Sequence, residues 1–320
     1  MKMKKIVVTG ALGHIGSRFI RSKGLEPFHE VVLIDNLATQ RFPSLFDLPA
    51  GVAFRFVEAD VCTAPLEPLF EDADVVVHMA AMTNAAGSFE IQEQVEKVNF
   101  EGTERVARAC AKTGSRLLFL STTSVYGTAK DVVDESCGPD DLKPQSPYAE
   151  SKLRAEGLLA ELGARSGLRF VTPRLGTIYG TSIGMRFHTA VNKFVWQACQ
   201  GQPITVWRTA MDQKRPYLDL SDAVRALRFF IDTDRFDGGI YNVLTDNATV
   251  RDIVEAIRAE VPDLKIELVD SRIMNQLSYE VSCERFRALG FRFEGNLPKA
   301  ISETVRLLRG LRVPDAQRTR

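Results

Sequence analysis

A glycine-rich segment near the N-terminus has the spacing of a phosphate-binding turn. The apolar run KKIVVT (residues 4–9) leads directly into glycines at positions 10, 13 and 16, and a helical pattern follows. Gly10 would make the tight turn, Gly13 would let backbone amides approach a pyrophosphate, and Gly16 would let helix and strand pack closely. The helix N-terminus adds partial positive charge. We therefore predict that this turn, with His14 and Ile15 inside it, binds a dinucleotide.

A carboxylate follows the second apolar run at the distance that such a turn requires. Asp35 ends EVVLID (residues 30–35), about 20 residues beyond the glycines. A carboxylate there would accept hydrogen bonds from the adenosine ribose hydroxyls and would repel a 2′-phosphate. The expected cofactor is therefore NAD, bound more tightly than NADP.

Short apolar runs alternate with helical patterns through the first half of the chain. The runs are rich in Val, Ile, Leu and Phe, as in strands buried on both faces of a parallel sheet. They are KKIVVT, EVVLID, AFRFVEA, DVVVHMA, RLLFLS and LRFVTPRL, and the helical patterns cover about 14–23, 65–71, 90–113 and 148–166. This alternation predicts an α/β fold with a doubly wound parallel sheet, the Rossmann arrangement.

The alternation ends near residue 175, which predicts a second, smaller α+β region. Irregular stretches cover about 176–190 and 201–217, and helical patterns return at about 249–260, 283–289 and 297–310. We predict a Rossmann domain over 1–175 and a mainly substrate-binding region over 176–312. Some segments of that region can return to the Rossmann sheet, and a polar tail covers 313–320.

The composition excludes several classes of protein. Lys and Arg number 41, as do Asp and Glu, so the formal net charge is zero and gives no reason to expect nucleic acid or an anionic membrane as a partner. The five cysteines are scattered, with no metal-ligand spacing and no paired framework, as suits a reducing cytosol. No apolar run approaches the ~18 residues that span a bilayer. We expect a cytoplasmic protein without a metal site.

Nine segments occur in a characteristic order over residues 4–223. They are TGALGHIG (9–16), VLIDN (32–36), EADV (58–61), HMAA (78–81), VNFEGT (98–103), LSTTSVYG (120–127), SPYAESK (146–152), PRLGTIYG (173–180) and KRPYLDLSDA (214–223). The set resembles the extended short-chain dehydrogenase/reductases, in the nucleotide-sugar epimerase/dehydratase branch. A single glycine motif would be weak evidence, but this ordered set is specific.

The resemblance implies a catalytic group of Tyr148, Lys152 and Thr122. Tyr148 would be the general acid/base, Lys152 its partner and a ligand of the nicotinamide ribose, and Thr122 a hydrogen-bond partner of the reacting sugar oxygen. Residues four apart lie on one face of a helix, so Tyr148 and Lys152 can enter the same cleft. A free tyrosine with a pKa near 10 is a poor base, and an adjacent ammonium lowers that pKa.

The resemblance also implies the other ligands of the site. Further cofactor contacts would come from Asn36, Asp60, Val61, Ala80 and Ala81. The substrate would contact Thr83, Thr122, Thr123, Tyr148, Thr177 and Arg215, and the planar fork of Arg215 suits a diphosphate. The implied partners are a nucleotide sugar, linked to UDP, dTDP, GDP or CDP, and a second copy of the chain in a homodimer.

Several departures from the family pattern leave the sugar and the nucleotide open. Thr177 stands where the family usually has Asn, and Pro216 replaces the Asp of its Arg-Asp-Tyr. MNQLSYEVS (residues 274–282) stands in place of an Arg-Pro-Gly-Asp-like segment. Arg272, Asn275 and Tyr279 are further candidates for substrate contact in that part of the chain.

The two residues after Thr122 separate the reactions that the resemblance allows. A 4,6-dehydratase of this branch carries Asp-Glu there and the related decarboxylases carry a Glu, whereas this chain has Thr123 and Ser124. Ketoreductases of the branch usually draw on NADPH, which Asp35 opposes. We therefore expect a nucleotide-sugar epimerase, acting at C4 through a transient keto-sugar. The alternatives are a dehydratase or ketoreductase, a dehydrogenase of a non-nucleotide substrate, and a non-catalytic dinucleotide sensor.

Overall fold

The computed structural model describes residues 5–85, 87–127, 130–270 and 278–310. Its strands are β1 (Lys5–Thr9), β2 (Glu30–Asp35), β3 (Phe54–Glu58), β4 (Val75–His78), β5 (Arg116–Phe119), β6 (Ser121–Thr122), β7 (Val132–Val133), β8 (Phe170–Leu175), β9 (Thr177–Tyr179), β10 (Ile204–Trp207), β11 (Lys214–Asp219), β12 (Ile240–Val243), β13 (Asp246–Thr249), β14 (Ile266–Val269) and β15 (Glu280–Val281). Its α-helices are α1 (His14–Phe19), α2 (Glu67–Phe70), α3 (Gln92–Val95), α4 (Gly102–Thr113), α5 (Pro147–Ser166), α6 (Ala190–Cys199), α7 (Leu220–Asp232), α8 (Val250–Glu260), α9 (Glu284–Arg287) and α10 (Leu297–Leu308). Short 3-10 helices cover Phe42–Leu45, Gly87–Phe89, Thr123–Val125 and Arg208–Ala210.

The central sheet is parallel and has helices on both faces. Its strand order is β12-β8-β5-β4-β1-β2-β3, with β6 beside β8. Ile6 and Val8 of β1 pack in a core with residues of α1 and α7, whereas Val7 packs in a second core with residues of α4 and α5. The predicted doubly wound α/β fold is confirmed.

The strand order reverses direction between β1 and β4. β1 pairs with β2 on one side and with β4 on the other, and each pair is parallel. The crossover connections therefore leave this point in opposite directions. In open α/β sheets a crevice forms there, beyond the carboxyl ends of the strands, and ligands bind in it.

The later part of the chain forms a smaller α/β region with its own core. Two small sheets, β13-β11-β9 and β10-β14, accompany a third core that includes residues of α6, α8 and α10. β12 also comes from this part of the chain, but it pairs with β8 in the central sheet. The division at residue 175 stays a prediction, and the tail over 313–320 lies outside the described residues. No helix within the described ranges is long and apolar enough to cross a membrane.

Two stretches that we predict to be irregular contain strands. β9 lies within 176–190, and β10 and most of β11 lie within 201–217. These strands are short, and Pro216 interrupts the pattern of β11, since proline cannot donate to a sheet ladder. Pairing with distant segments stabilises the strands instead, because β11 lies between β9 and β13.

A π-helix over Glu96–Glu101 joins α3 to α4. Asn99, fully buried in this segment, holds the loop that follows β4. Its side chain accepts the amide of Met82 at 2.8 Å and donates to the carbonyl of the same residue at 2.9 Å. Both peptide groups of Met82 are thus satisfied by one side chain, in a loop without a strand or helix of its own.

A buried ion pair connects α5 to the central sheet. The guanidinium of Arg174, on β8, donates through Nε at 2.9 Å and through Nη2 at 2.6 Å to the carboxylate of Glu156 on α5. Both side chains are less than 5% exposed, at 3% and 4%. Ser121 donates to the same carboxylate at 2.5 Å, and Arg174 also donates to the Tyr126 hydroxyl at 2.9 Å. The charges are therefore paired and hydrogen-bonded on several sides.

We predict that Glu156→Gln destabilises the protein by about 3–5 kcal/mol, because it leaves the charge of Arg174 buried and uncompensated. Glu104→Gln is the control, since Glu104 pairs with Arg108 on the surface of α4 and such pairs contribute about 0.3–0.5 kcal/mol. Urea unfolding of each variant measures the difference. Equal losses for the two variants would contradict the prediction.

Candidate active site

A cleft of about 590 Å³ opens at the carboxyl ends of the central strands. Most of the residues that we predict from the sequence line it together. They are Gly10, Gly13, His14, Ile15, Gly16, Ala81, Thr83, Thr122, Thr123, Tyr148, Lys152, Thr177 and Arg215. Five predicted cofactor residues are not part of this lining and lie on adjoining segments, namely Asp35, Asn36, Asp60, Val61 and Ala80. The cleft thus brings together the predicted residues of the glycine-rich turn, of the catalytic group and of the substrate site, which are far apart in the sequence.

Two glycines of the phosphate-binding turn are required by backbone packing. Gly10 has a φ of +65°, and a Cβ there would lie 2.6 Å from the amide nitrogen of Ala80. A Cβ on Gly16 would lie 2.6 Å from the carbonyl of Gly10. A Cβ on Gly13 would meet nothing closer than that carbonyl, at 3.3 Å, so packing within the chain does not demand glycine there. Gly13 leaves one wall of the cleft without a side chain, which fits a diphosphate.

Asp35 and its neighbours occupy the ends of β2 and β3. The two carboxylate oxygens of Asp35 accept the backbone amides of Leu12 at 3.1 Å and Leu37 at 3.0 Å. Asn36 donates to the carboxylate of Asp60 at 3.1 Å. Each carboxylate oxygen can accept a second bond, so Asp35 retains capacity for ribose hydroxyls, and that role stays a prediction.

Val61 and Ala80 are held by their backbones. The Val61 carbonyl accepts the Nε of Arg105 at 3.0 Å, and the Ala80 amide donates to the hydroxyl of Thr9 at 3.3 Å. These hydrogen bonds within the chain do not test the contacts with the cofactor, which stay predictions.

Tyr148 faces Thr122 across the cleft, at the start of α5. The helix begins at Pro147, and the Ser146 hydroxyl caps it by accepting the amide of Ala149 at 3.2 Å. Burial raises the pKa of Tyr148, while a hydrogen bond with the Thr122 side chain and the charge of Arg186 act in the opposite direction. Burial has the larger effect, so the pKa of Tyr148 lies above its ordinary value, and Arg186 and Thr122 offset part of that shift.

Lys152 lies one helical turn after Tyr148 and is 3% exposed. Its Nζ is 4.6 Å from the centre of the Phe119 ring. Burial lowers the pKa of Lys152 to about 7, and the charge of Glu156 opposes that shift. An amine with such a pKa changes its protonation near neutral pH, which suits a group that exchanges protons with a neighbouring phenol.

His14 connects the phosphate-binding turn to the later part of the chain. Burial lowers its pKa to about 4, so the ring is neutral near pH 7, and its Nε2 is 3.0 Å from the carbonyl of Gly180. The amide of Gly184 donates to the Ser17 hydroxyl at 3.0 Å beside it. We predict a role for His14 at the pyrophosphate, and the structure adds this contact with the segment that follows β9.

The predicted substrate residues lie on several walls of the cleft. Thr123 donates to the Leu175 carbonyl at 3.3 Å, and Thr177 begins β9. The guanidinium of Arg215 lies 5.2 Å from the centre of the Tyr279 ring, and Tyr279 also lines the cleft. Arg272 and Asn275 lie outside the described residues. The substrate roles of these side chains stay predictions.

Arg186 and Lys193 are cleft residues that sequence reasoning missed. Arg186 donates to the hydroxyl of Thr83 at 2.5 Å, and Lys193 lies on α6. With Lys152 and Arg215 they give four cationic side chains, whereas no Asp or Glu is among the described residues that line the cleft. Arg186 stands in a stretch without strand or helix periodicity, so no pattern in the sequence marks it.

The geometry agrees with a comparison with known families. Residues 6–243 match the NAD dependent epimerase/dehydratase family. The chain belongs to this family. The predicted resemblance is confirmed, and so is NAD as the cofactor at the level of the family.

Individual members of the epimerase/dehydratase family resemble this chain over most of its length. A trifunctional UDP-glucose 4,6-dehydratase/UDP-4-keto-6-deoxy-D-glucose 3,5-epimerase/UDP-4-keto-L-rhamnose-reductase of Arabidopsis thaliana is 29% identical over 90% of this chain and 44% of its own length. The chain thus spans less than half of that relative. The UDP-glucose 4-epimerase of Thermus thermophilus, solved with NAD, is 26% identical with a TM-score of 0.80 and coverages of 96% and 99%. MoeE5, solved with UDP-glucuronic acid and NAD, is 26% identical with a TM-score of 0.81 and coverages of 96% and 100%.

The predicted homodimer and cytoplasmic location are not addressed by these likenesses and stay predictions. The members of the family that resemble the chain act on or bind UDP-linked sugars, as their names state. Among the UDP, dTDP, GDP and CDP that the sequence left open, this likeness is the reason for choosing UDP in the function proposed below.

We predict that Tyr148→Phe lowers turnover by about 10²–10⁴-fold, because it removes the hydroxyl that would transfer the proton while keeping the ring. Binding of NAD should be retained. Tyr241→Phe is the matched control, since that hydroxyl bonds to Asp237 at 2.8 Å and has no part in the cleft. Steady-state kinetics of each variant with the enzyme's substrate measures kcat. A kcat of the Tyr148 variant within a few-fold of the control would exclude Tyr148 as the general acid/base.

Proposed function

We propose that this protein is an NAD-dependent epimerase that inverts C4 of a UDP-linked sugar. NAD, held at the phosphate-binding turn, would supply the hydride acceptor and donor that oxidation and re-reduction of C4 on opposite faces require. The net reaction is redox-neutral, so neither added NADH nor a second substrate is consumed.

The composition of the cleft wall is the observation that carries this proposal. Elimination of water from the sugar needs a base at C5 and an acid at the departing C6 hydroxyl, in addition to the groups that act at C4. No Asp or Glu is among the described residues that line the cleft, and Thr123 and Ser124 follow Thr122. Hydroxyl groups ionise too weakly to replace carboxylates near neutral pH. Inversion at C4 needs only groups that are present.

The chain's own residues have distinct tasks in this reaction. Tyr148 takes the proton of the C4 hydroxyl and later returns one to the same oxygen, since a phenol beside a cation can exist in both forms. Thr122 donates a hydrogen bond to that oxygen, where charge develops. Lys152 supplies positive charge beside the phenol. Arg215 and Lys193 give cations for the diphosphate of the substrate.

The dehydratase reading is the main alternative, because the name of the Arabidopsis relative includes that activity. The name also includes an epimerase and a reductase, and the chain spans 44% of that relative's length. The relative therefore does not select one reaction, and the absence of acids from the described cleft wall favours epimerisation.

We predict that the product has the mass of the substrate and forms without stoichiometric NADH. Mass spectrometry of the reaction with UDP-sugars measures this directly, and NMR assigns the inverted carbon. Loss of one water would show dehydration, and gain or loss of two hydrogens would show net reduction or oxidation. Either result would overturn the epimerase proposal while leaving the family and the fold unchanged.

Arg186 indicates which kind of UDP-sugar the cleft would bind, namely one whose sugar carries a carboxylate. Arg186 and Tyr148 line the same cleft, and the charge of Arg186 acts to lower the pKa of Tyr148, which supports a position of the guanidinium near the reacting groups. Its Nη1 donates to the neutral hydroxyl of Thr83, and the described cleft wall offers no acid. MoeE5, which resembles this chain, is solved with UDP-glucuronic acid and also with UDP-glucose, so the likeness allows either sugar and the preference rests on Arg186. We propose a UDP-hexuronic acid as the preferred substrate.

We predict that Arg186→Gln lowers kcat/KM for UDP-glucuronic acid by at least about tenfold more than for UDP-glucose, because a charge-assisted hydrogen bond contributes about 1.5–3 kcal/mol. Arg154→Gln is the control, since Arg154 pairs with Glu96 on the surface. Equal losses for both substrates would exclude a contact with the carboxylate. A product lighter by one carbon dioxide would show decarboxylation in place of epimerisation.

A further inference from the structure

Arg41 has a buried nitrogen for which the described chain offers no acceptor. It follows Asp35 by six residues and directly precedes the 3-10 helix Phe42–Leu45. Its Nη1 is shielded from solvent and has no hydrogen-bond partner among the described residues. A buried donor without a partner is destabilising, and more so when it is charged, so such a group in a native protein indicates a further hydrogen-bond partner, such as a ligand or an ordered water.

Asp35 does not supply that partner. Its charge raises the pKa of Arg41, so the two groups are close, but burial outweighs this effect and lowers that pKa overall. The carboxylate of Asp35 accepts the amides of Leu12 and Leu37, and its remaining lone pairs make no hydrogen bond with Nη1. The acid therefore compensates part of the charge of Arg41 and leaves the hydrogen-bonding capacity of Nη1 unused.

The other groups that Arg41 acts on belong to the cleft. The charge of Arg41 contributes to lowering the pKa of His14, of His188 and of Arg186. All three line the cleft, and His14 belongs to the phosphate-binding turn. Arg41 is not itself among the residues that line the cleft, but it is close enough to these three side chains for its charge to act on them. Two guanidinium groups near each other, with one carboxylate nearby, are an arrangement that an anion stabilises.

We propose that Arg41 is a cofactor-binding residue that donates to a phosphate group of the dinucleotide. Phosphate oxygens accept strong, charge-assisted hydrogen bonds from guanidinium groups, and Nη1 has no such acceptor among the described residues of the chain. Two phosphate positions share this chemistry. The diphosphate would pass the turn that contains His14, and a 2′-phosphate, present in NADP alone, would lie beside Asp35. The inference rests on the family's cofactor and is independent of the sugar reaction.

The test is isothermal titration of the cofactor-free protein with adenosine, ADP, NAD and 2′,5′-ADP. Arg41→Met is compared with wild type and with Arg55→Met, a control at an exposed arginine that pairs with Glu30 on the edge of the same sheet. If Arg41 binds the diphosphate, the Arg41 variant loses at least about tenfold in affinity for ADP and NAD and keeps its affinity for adenosine. A loss with 2′,5′-ADP and not with ADP would assign Arg41 to a 2′-phosphate, which NAD lacks, and would overturn both the diphosphate contact and the expected preference for NAD.

Urea unfolding of the cofactor-free variant distinguishes cofactor binding from a merely structural role of Arg41. If Arg41 binds the cofactor, removal of a guanidinium with one buried, unpartnered nitrogen should leave the free energy of unfolding of the cofactor-free protein unchanged or raise it. Unchanged affinity for all the phosphate ligands would overturn the proposal. An equal loss for adenosine, or a large loss of stability, would also overturn it, because each would assign Arg41 to the packing of the chain.

Discussion

Arg174 and Glu156 meet in the interior between a strand and a helix, and the positions of the reacting groups depend on that contact. Glu156 lies one helical turn after Lys152, and Ser121, which donates to the same carboxylate, directly precedes Thr122. The pair therefore holds the helix that carries the phenol and the amine against the strand that carries the hydroxyl. Because both charges are buried, a shift of the helix would separate them at a cost of several kcal/mol. Rigid placement of the reacting groups follows from this cost.

A second set of contacts connects the cofactor turn to the segment that carries Arg186. His14 donates to the Gly180 carbonyl, and Gly184 donates to Ser17. A Cβ on Gly184 would lie 2.3 Å from the carbonyl of Leu12, so the two segments touch at backbone distance. The turn expected to bind the dinucleotide and the segment that carries Arg186, for which we propose a sugar contact, are thus neighbouring, directly bonded parts of the chain.

The sequence predicted the parallel sheet and most of its helices, because strands buried on both faces are continuous apolar runs that need no distant information. It also predicted many of the residues that line the cleft from the first half of the chain, since motifs there have fixed spacing, but it did not single out neighbours such as Met79, Asn84 and Gln145. It could not predict β10 and β11, whose pairing partners are remote, or α6 and α7. Nor could it predict Arg186 and Arg41, because their importance comes from what surrounds them in space. No motif in the sequence includes Arg41, and it differs from other arginines of the described chain in that its buried Nη1 has no acceptor near the expected cofactor site.

The π-helix at Glu96–Glu101 has a consequence for how this chain tolerates change in length. A π-turn holds one residue more than an α-turn within about the same rotation around the axis, so the extra residue is absorbed there and α4 stays in phase with α3. Deleting one residue would therefore leave a regular helix in which Val106 and Cys110 keep their buried positions. The change would fall on the turn itself, where Asn99 holds both peptide groups of Met82. Irregularity in this helix thus matters to the loop after β4 and not to the core.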